Sequence, residues 1–256
     1  MSSTLVQPMK RVQLYFALLL SAFAVFLNIS FAYREKKIEN SPPKITITSP
    51  LDKDHFSWNA TIRYSIKIID NEDGSSEYDE ISGKEVLLEV CYLKDASNAK
   101  SYLAGKANVV MENKGLRLLK KSDCFTCHAS KDKLIGPSFK LIAKRYPFNK
   151  YSLDRLTKKV ISGSKGTWGT VAMPAHAANT TEEVREMISW ILTNNSNPNI
   201  SFYPGLEGAF LTKEKTLNTT GKEVLVLTAS YTDHGEKNSN QNWKYVQHSV
   251  LLKAAN

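Results

Sequence analysis

Between residues 61 and 69 apolar and polar side chains alternate, with Ile62, Tyr64, Ile66 and Ile68 set against Arg63, Ser65 and Lys67. A period of two sends successive side chains to opposite faces, so the segment predicts a half-buried strand. The run Asn71-Glu72-Asp73-Gly74 predicts the turn that closes it. Further strand signals lie at 44–48 and about 84–93, and again at 223–231 and 246–252. Gly205, Gly208, Gly221 and Gly235 mark turns around the later strands. Short strands spaced by turns suggest β-sandwich-like modules of immunoglobulin type at 44–112 and 196–256, with too few strands in the first to complete a sandwich. The segment between them, 113–195, carries helical patterning. Its all-α character makes the fold class multidomain α + β. Two arrangements stay open: two small β-modules flanking the helical domain, or one sandwich built by both flanks with that domain inserted.

The longest apolar run, Val12 to Leu27, contains no charge and follows Lys10 and Arg11. Ser30-Phe31-Ala32 then offers small residues where a signal peptidase cuts, so residues 1–32 read as a signal peptide cleaved after Ala32. The alternative is an uncleaved membrane anchor over residues 12–29, close to the ~20 apolar residues that span a bilayer. Either reading exports the rest of the chain. Residues 33–43 are polar, end in Pro42-Pro43, and read as a linker.

The chain carries a formal charge of +9, and its location matters more than its size. Residues 113–195 hold 15 Lys and Arg against 6 Asp and Glu, a net of +9, whereas residues 41–112 hold 8 against 12. Nucleic-acid binding would pair such charge with stacking aromatics or a recognition helix, and neither is present. A docking face for an acidic protein partner is the better reading. Lys120, Lys121, Lys131, Lys133, Lys140, Lys144 and Arg145 are its candidates, against the ordinary reading of a solvated surface. The acidic cluster Asp70, Glu72, Asp73, Glu77, Asp79 and Glu80 reads as a solvated loop, because the EF-hand spacing is absent; Ca²⁺ held by oxygen ligands is the alternative.

Three cysteines cannot build a disulfide framework. Cys91 falls in a strand and reads as a small buried hydrophobe. The other two stand in Cys124-Phe-Thr-Cys127-His128, the C-x-x-C-H pattern for covalent haem c attachment. One helical turn brings the two thiols under the two porphyrin vinyl groups, and the adjacent imidazole turns toward the iron. A zinc site would want a second ligand pair at short spacing, and a thioredoxin-type pair would want a βαβ setting. Neither fits.

Residues 113–195 resemble a class I mono-haem cytochrome c domain of the small bacterial type. The resemblance rests on several motifs in order: an N-terminal helix at 113–121, the haem motif, Gly136-Pro137-Ser138-Phe139, a middle helix at 151–162, Gly166-Thr-Trp168-Gly169…Met173-Pro174, and a closing helix at Thr181 to Asn194. Thr180 and Glu183 add a capping box to the last. The resemblance implies one covalent haem c per chain on Cys124 and Cys127, with His128 and Met173 as iron ligands. It also implies that the Pro137 carbonyl receives the His128 N–H, and that Trp168 touches a haem propionate or packs beside the haem. His176 is the rival sixth ligand; Met187 reads as core filler, Met111 as outside the domain, and Trp190 as core.

Two protein ligands leave no open iron position, which implies an electron carrier rather than an enzyme. The partners implied are redox proteins. An acidic β-module, this domain and a C-terminal Tyr-Thr-Asp-His-Gly segment resemble modules that accompany periplasmic sugar dehydrogenases of Bacteroidota. Alternatives from other classes are a haem-based sensor with a yielding Met173, and a carbohydrate- or surface-binding β-protein using Trp58 and Trp243 as its aromatic platform.

Overall fold

The alternation at 61–69 becomes a strand in the computed structural model, which describes residues 40–217, 219–235 and 242–255. The expected signal or anchor, and the linker up to residue 39, lie outside the described residues. Among those described, no helix is long and apolar enough to cross a membrane.

Five strands precede the helices: β1 (Lys44–Ser49), β2 (His55–Phe56), β3 (Thr61–Asp70), β4 (Gly74–Ser75) and β5 (Leu87–Leu93). The helices are α1 (Ala96–Ala107), α2 (Lys114–Lys121), α3 (Cys124–Cys127), α4 (Phe139–Arg145), α5 (Lys150–Ser162) and α6 (Thr181–Asn194). Four strands complete the order: β6 (Ile200–Pro204), β7 (Glu207–Leu211), β8 (Val224–Thr232) and β9 (Tyr245–Ala254). One sheet runs β1-β3-β4 with β7 also on β3, and the other runs β2-β9-β8-β5-β6. Strands from both sides of residues 113–195 therefore lie in each sheet. Strand β5 pairs antiparallel with β6 on one edge and β8 on the other, placing Val90 opposite both Ser201 and Leu227. Gly208, expected in a turn, is a strand residue opposite Tyr64.

The two sheets share one core. Ile45, Ile47, Tyr64, Ile66 and Ile68 come from the first, and Leu88, Val90, Leu225, Leu227, Ala229, Tyr231, Val250 and Leu252 from the second. Strand β8 is buried at nearly every position because it is covered twice. Leu225, Leu227, Ala229 and Tyr231 face the shared core, while Val224 and Val226 meet Ala99 of α1. Helix α1 falls where only strands and loop were expected. Asp95 caps it by accepting from the N–H groups of Ser97 and Asn98, and Tyr102 and Lys106 both reach Glu89 on β5.

The helices of 113–195 pack around Leu116, Leu119, Phe139, Tyr146, Leu156, Val184, Met187, Ile188 and Trp190. Helix α2 meets α6 backbone to backbone at Gly115, where an added Cβ would lie 2.2 Å from the Glu186 carbonyl oxygen. The capping box is formed: Thr180 Oγ1 accepts from the Glu183 N–H, and the Glu183 carboxylate accepts from the Thr180 N–H. Leu87, Ile200 and Phe202 of the second sheet join this helical core, and Phe202 packs on Trp190 with ring centroids 4.9 Å apart.

Candidate functional site

Helix α3 is one turn long, closed by the His128 N–H donating to the Cys124 carbonyl at 2.9 Å. Cys124 and Cys127 are thereby three residues apart on one helical face. Ser122 Oγ lies 3.0 Å from Cys124 Sγ, and burial pushes the Cys124 thiol pKa up. His128 Nδ1 stands 2.6 Å from the Pro137 carbonyl oxygen. A carbonyl only accepts, so the proton sits on Nδ1 and the Nε2 lone pair is left for another partner. Burial lowers the His128 pKa most, the Pro137 bond opposes it, and the nearby His176 lowers it further. A neutral imidazole is the form that binds metal. The ring stacks on Phe139 at 5.6 Å and 14°, and it lies so close to Gly136 that a Cβ there would be 2.4 Å from Cε1.

Met173 is held by a two-residue antiparallel bridge: its N–H donates to the Ser164 carbonyl at 2.8 Å, and the Ser164 N–H returns to its own carbonyl at 3.1 Å. Gly163, at φ +75°, turns the chain from α5 into this bridge. Within the loop, the Arg145 guanidinium lies 4.6 Å over the Trp168 ring and donates to the Thr167 carbonyl at 3.1 Å. Lys159 Nζ donates to Thr167 Oγ1 at 2.8 Å. His176, the rival for the Met173 role, sits beside the same motif. Its N–H bonds the Val160 carbonyl at 3.0 Å, and Nδ1 lies 3.5 Å from the Asp123 carboxylate that precedes Cys124. That contact brings the loop carrying Met173 back to the haem motif. Met187 is buried in the helical core and Met111 is exposed outside it. The donors fit a c-type haem: two thiols on one turn, an oriented imidazole with Nε2 free, and a thioether on a closed loop.

Other expectations divide. Lys121, Lys131, Lys133, Lys144 and Arg145 are exposed. Lys120 is not a surface charge, because it is buried and its Nζ lies 2.6 Å from Glu112 and 2.6 Å from the Glu85 carbonyl oxygen. Lys140 turns toward β6, donating to Pro198 O and Ser201 Oγ at 3.1 Å, and its partial burial lowers its pKa to about 8. The acidic loop is largely self-satisfied. Asp70 accepts from the N–H groups of Glu72 and Asp73, Glu80 from Ser75, and Glu77 pairs with Lys67. Among the described residues no group of three or more His, Cys, Asp or Glu side chains is placed to hold a metal ion. Trp58 packs edge-on against Phe56 and stacks with Tyr92, and Trp243 lies under Arg117 at 4.2 Å, so the two form no common platform. Cys91 is buried in β5.

A helical domain with a C-x-x-C-H turn, an imidazole fixed through its Nδ1 and a methionine on a closed loop has the make-up of a mono-haem c-type cytochrome. Residues 113–195 match the family model for cytochrome c. Cytochrome c-551 of Allochromatium vinosum is 36% identical over 77 residues, covering 30% of this chain and 82% of that protein. Cytochrome c-552 of Hydrogenobacter thermophilus is 34% identical over 91 residues, covering 36% and 90% respectively. The crystal structure of wild-type Nitrosomonas europaea cytochrome c552 is 34% identical over 30% of this chain and 94% of its own, with a TM-score of 0.29. The chain belongs to the cytochrome c family: residues 113–195 are a class I mono-haem domain, an electron carrier whose cofactor is covalent haem c.

Proposed function

We propose that this chain is an exported electron carrier in which a β-sandwich, built from residues 44–112 and 196–256 together, holds the haem domain of residues 113–195 as an insertion. Cys124 and Cys127 supply the thioether links, and His128 Nε2 and Met173 the two iron bonds. Trp168, steadied by Arg145, serves the propionate side. Bound haem supplies a one-electron iron couple. The observation that carries this reading is the 2.6 Å contact of His128 Nδ1 with Pro137, which orients the ring and leaves Nε2 free. Haem from the purified protein should then resist acid-acetone extraction, and should be lost from the Cys124→Ala/Cys127→Ala double variant. Met173→Ala should remove the near-infrared sulfur–iron(III) band while His176→Ala keeps it. Extractable haem, or a band that tracks His176, contradicts the assignment.

Export rests on Lys10-Arg11, the apolar run and Ser30-Phe31-Ala32, and it suits a cofactor that bacteria attach outside the cytoplasm. The periplasm is the proposed location and a sugar dehydrogenase the proposed electron donor, the latter on the module resemblance alone. Partner docking is assigned to residues 129–179, which hold ten Lys and Arg against two Asp. Electron exchange with an acidic partner should slow steeply as salt rises from low ionic strength past ~0.15 M, where screening acts over ~8 Å. Stopped-flow rates indifferent to salt would remove the docking role.

A further inference from the structure

His234 stands where three parts of the β-domain meet. It lies just after β8, and both its ring nitrogens face carboxylates. Nδ1 is 3.1 Å from Asp73 Oδ1 in the β3–β4 turn, and Nε2 is 2.8 Å from Glu85 Oε1 just ahead of β5. A neutral imidazole has one N–H, so both contacts are hydrogen bonds only when the ring is an imidazolium. Asp73 Oδ2 is already occupied by the Tyr231 hydroxyl at 3.0 Å and the His234 N–H at 2.9 Å.

From Glu85 the contacts continue into the haem domain. The Glu85 carbonyl accepts from Lys120 Nζ, which also pairs with Glu112. Glu112 in turn accepts from Thr232 Oγ1 at 3.1 Å, back on β8. Lys120 sits near the end of α2, four residues before Cys124. A crevice of about 240 Å³ is lined by Gly83 and Lys84 on one side and by Phe125 and Thr126 of α3 on the other. The turn that His234 grips is therefore the turn that meets the haem-bearing segment.

We propose that His234 is a pH-sensitive positioning residue that clamps the 83–85 turn onto α2 and so fixes the haem segment on the β-domain. Among the described residues the groups facing it are Asp73 and Tyr231, Asp70 within the same turn as Asp73, and Glu85, with Lys84 beside Glu85 and Lys120 and Glu112 beyond. Burial alone draws the His234 pKa down, but the hydrogen bonds and charges of Glu85 and Asp73 outweigh it and the net shift is upward. A raised pKa adds stability that is complete below the ordinary value of ~6.5 and is lost as pH rises through the folded-state value. Deprotonation turns one ring lone pair toward a carboxylate and releases the turn. This inference rests on packing and ion pairs, not on the iron-ligand assignment.

The test is hydrogen exchange of the full-length haem protein at pH 6 and pH 9, corrected for intrinsic rates and read in segments 83–86 and 118–122. Protection in both should fall together, by up to about tenfold for each pKa unit by which folding raises His234. His234→Gln, at a half-exposed position, should show reduced protection at pH 6 and no further loss at pH 9. A fall confined to 83–86 would overturn the coupling to α2. A pH dependence that persists in His234→Gln, or is missing from the unaltered protein, would overturn the role of His234.

Discussion

Replacing Lys120 by methionine should cost about 3–5 kcal/mol of stability, because it strands a buried carboxylate. For a unit of this size that is a fall of roughly 10 °C in the thermal midpoint. The side chains of Lys120 and Glu112 are 4% and 1% exposed, so neither charge can be made good by water. Lys120 Nζ answers two groups, Glu112 Oε1 and the Glu85 carbonyl oxygen, each at 2.6 Å. Without it Glu112 keeps the Thr232 hydroxyl, which bonds its other oxygen at 3.1 Å but supplies no charge. Removing both charges should be far milder, since two apolar side chains of similar volume leave nothing ionised in the interior. Chemical denaturation of Lys120→Met, Glu112→Leu and the double variant closes the cycle. A single-variant loss below ~1 kcal/mol, the range of surface ion pairs, would mean that the pair is solvated.

Lys120 also shows where a linear reading stops. Beside Lys121 it looks like half of a solvated pair, and burial depends on Glu85 and Glu112 arriving from the β-domain side. Local features were legible: the alternation in β3, the one-turn Cys124–Cys127 spacing and the Thr180–Glu183 cap each lie within a few residues, whereas Pro137 beside His128, nine residues on, came only through the family resemblance. The pairing of β5 with β8 joins residues more than 130 positions apart, and no local pattern encodes it. Strands β2 and β4 are two residues long, and β6 and β7 five, too short for a clear period. Helix α1 buries only Ala99, so it shows almost no apolar stripe; its signal was the Asp95 cap. The insertion also changes the electrostatic picture. Among the described residues the β-domain engages Lys120 and Lys140 and leaves Lys121, Lys131, Lys133, Lys144 and Arg145 exposed.

At the haem site a large effect is expected from Gly136→Ala, a change at a residue that is not itself assigned to the haem. A Cβ there would lie 2.4 Å from His128 Cε1 and 2.8 Å from Nδ1, closer than real Cβ contacts come. The backbone cannot easily swing away, because the Gly136 N–H donates to the Cys127 carbonyl at 2.9 Å and Pro137 comes directly after it. Retreat of the ring is limited by Phe139, stacked on it at 5.6 Å, itself buried and set edge-on to Phe125 at 5.4 Å. The ring must tilt, and the Nδ1 bond to the Pro137 carbonyl is lost with its orientation. Overpacking of this kind costs about 1–3 kcal/mol. Cys124 and Cys127, the proposed thioether sites, are untouched, so haem should remain covalently attached while its spectrum moves from low spin toward high spin. Gly166→Ala is the control: its φ of +85° strains alanine, but the added Cβ meets nothing within 4 Å. It should lose about 1 kcal/mol and keep the native spectrum. If Gly136→Ala kept it too, the imidazole would have to be anchored by something other than the Pro137 carbonyl, and His128 would lose its assigned orientation.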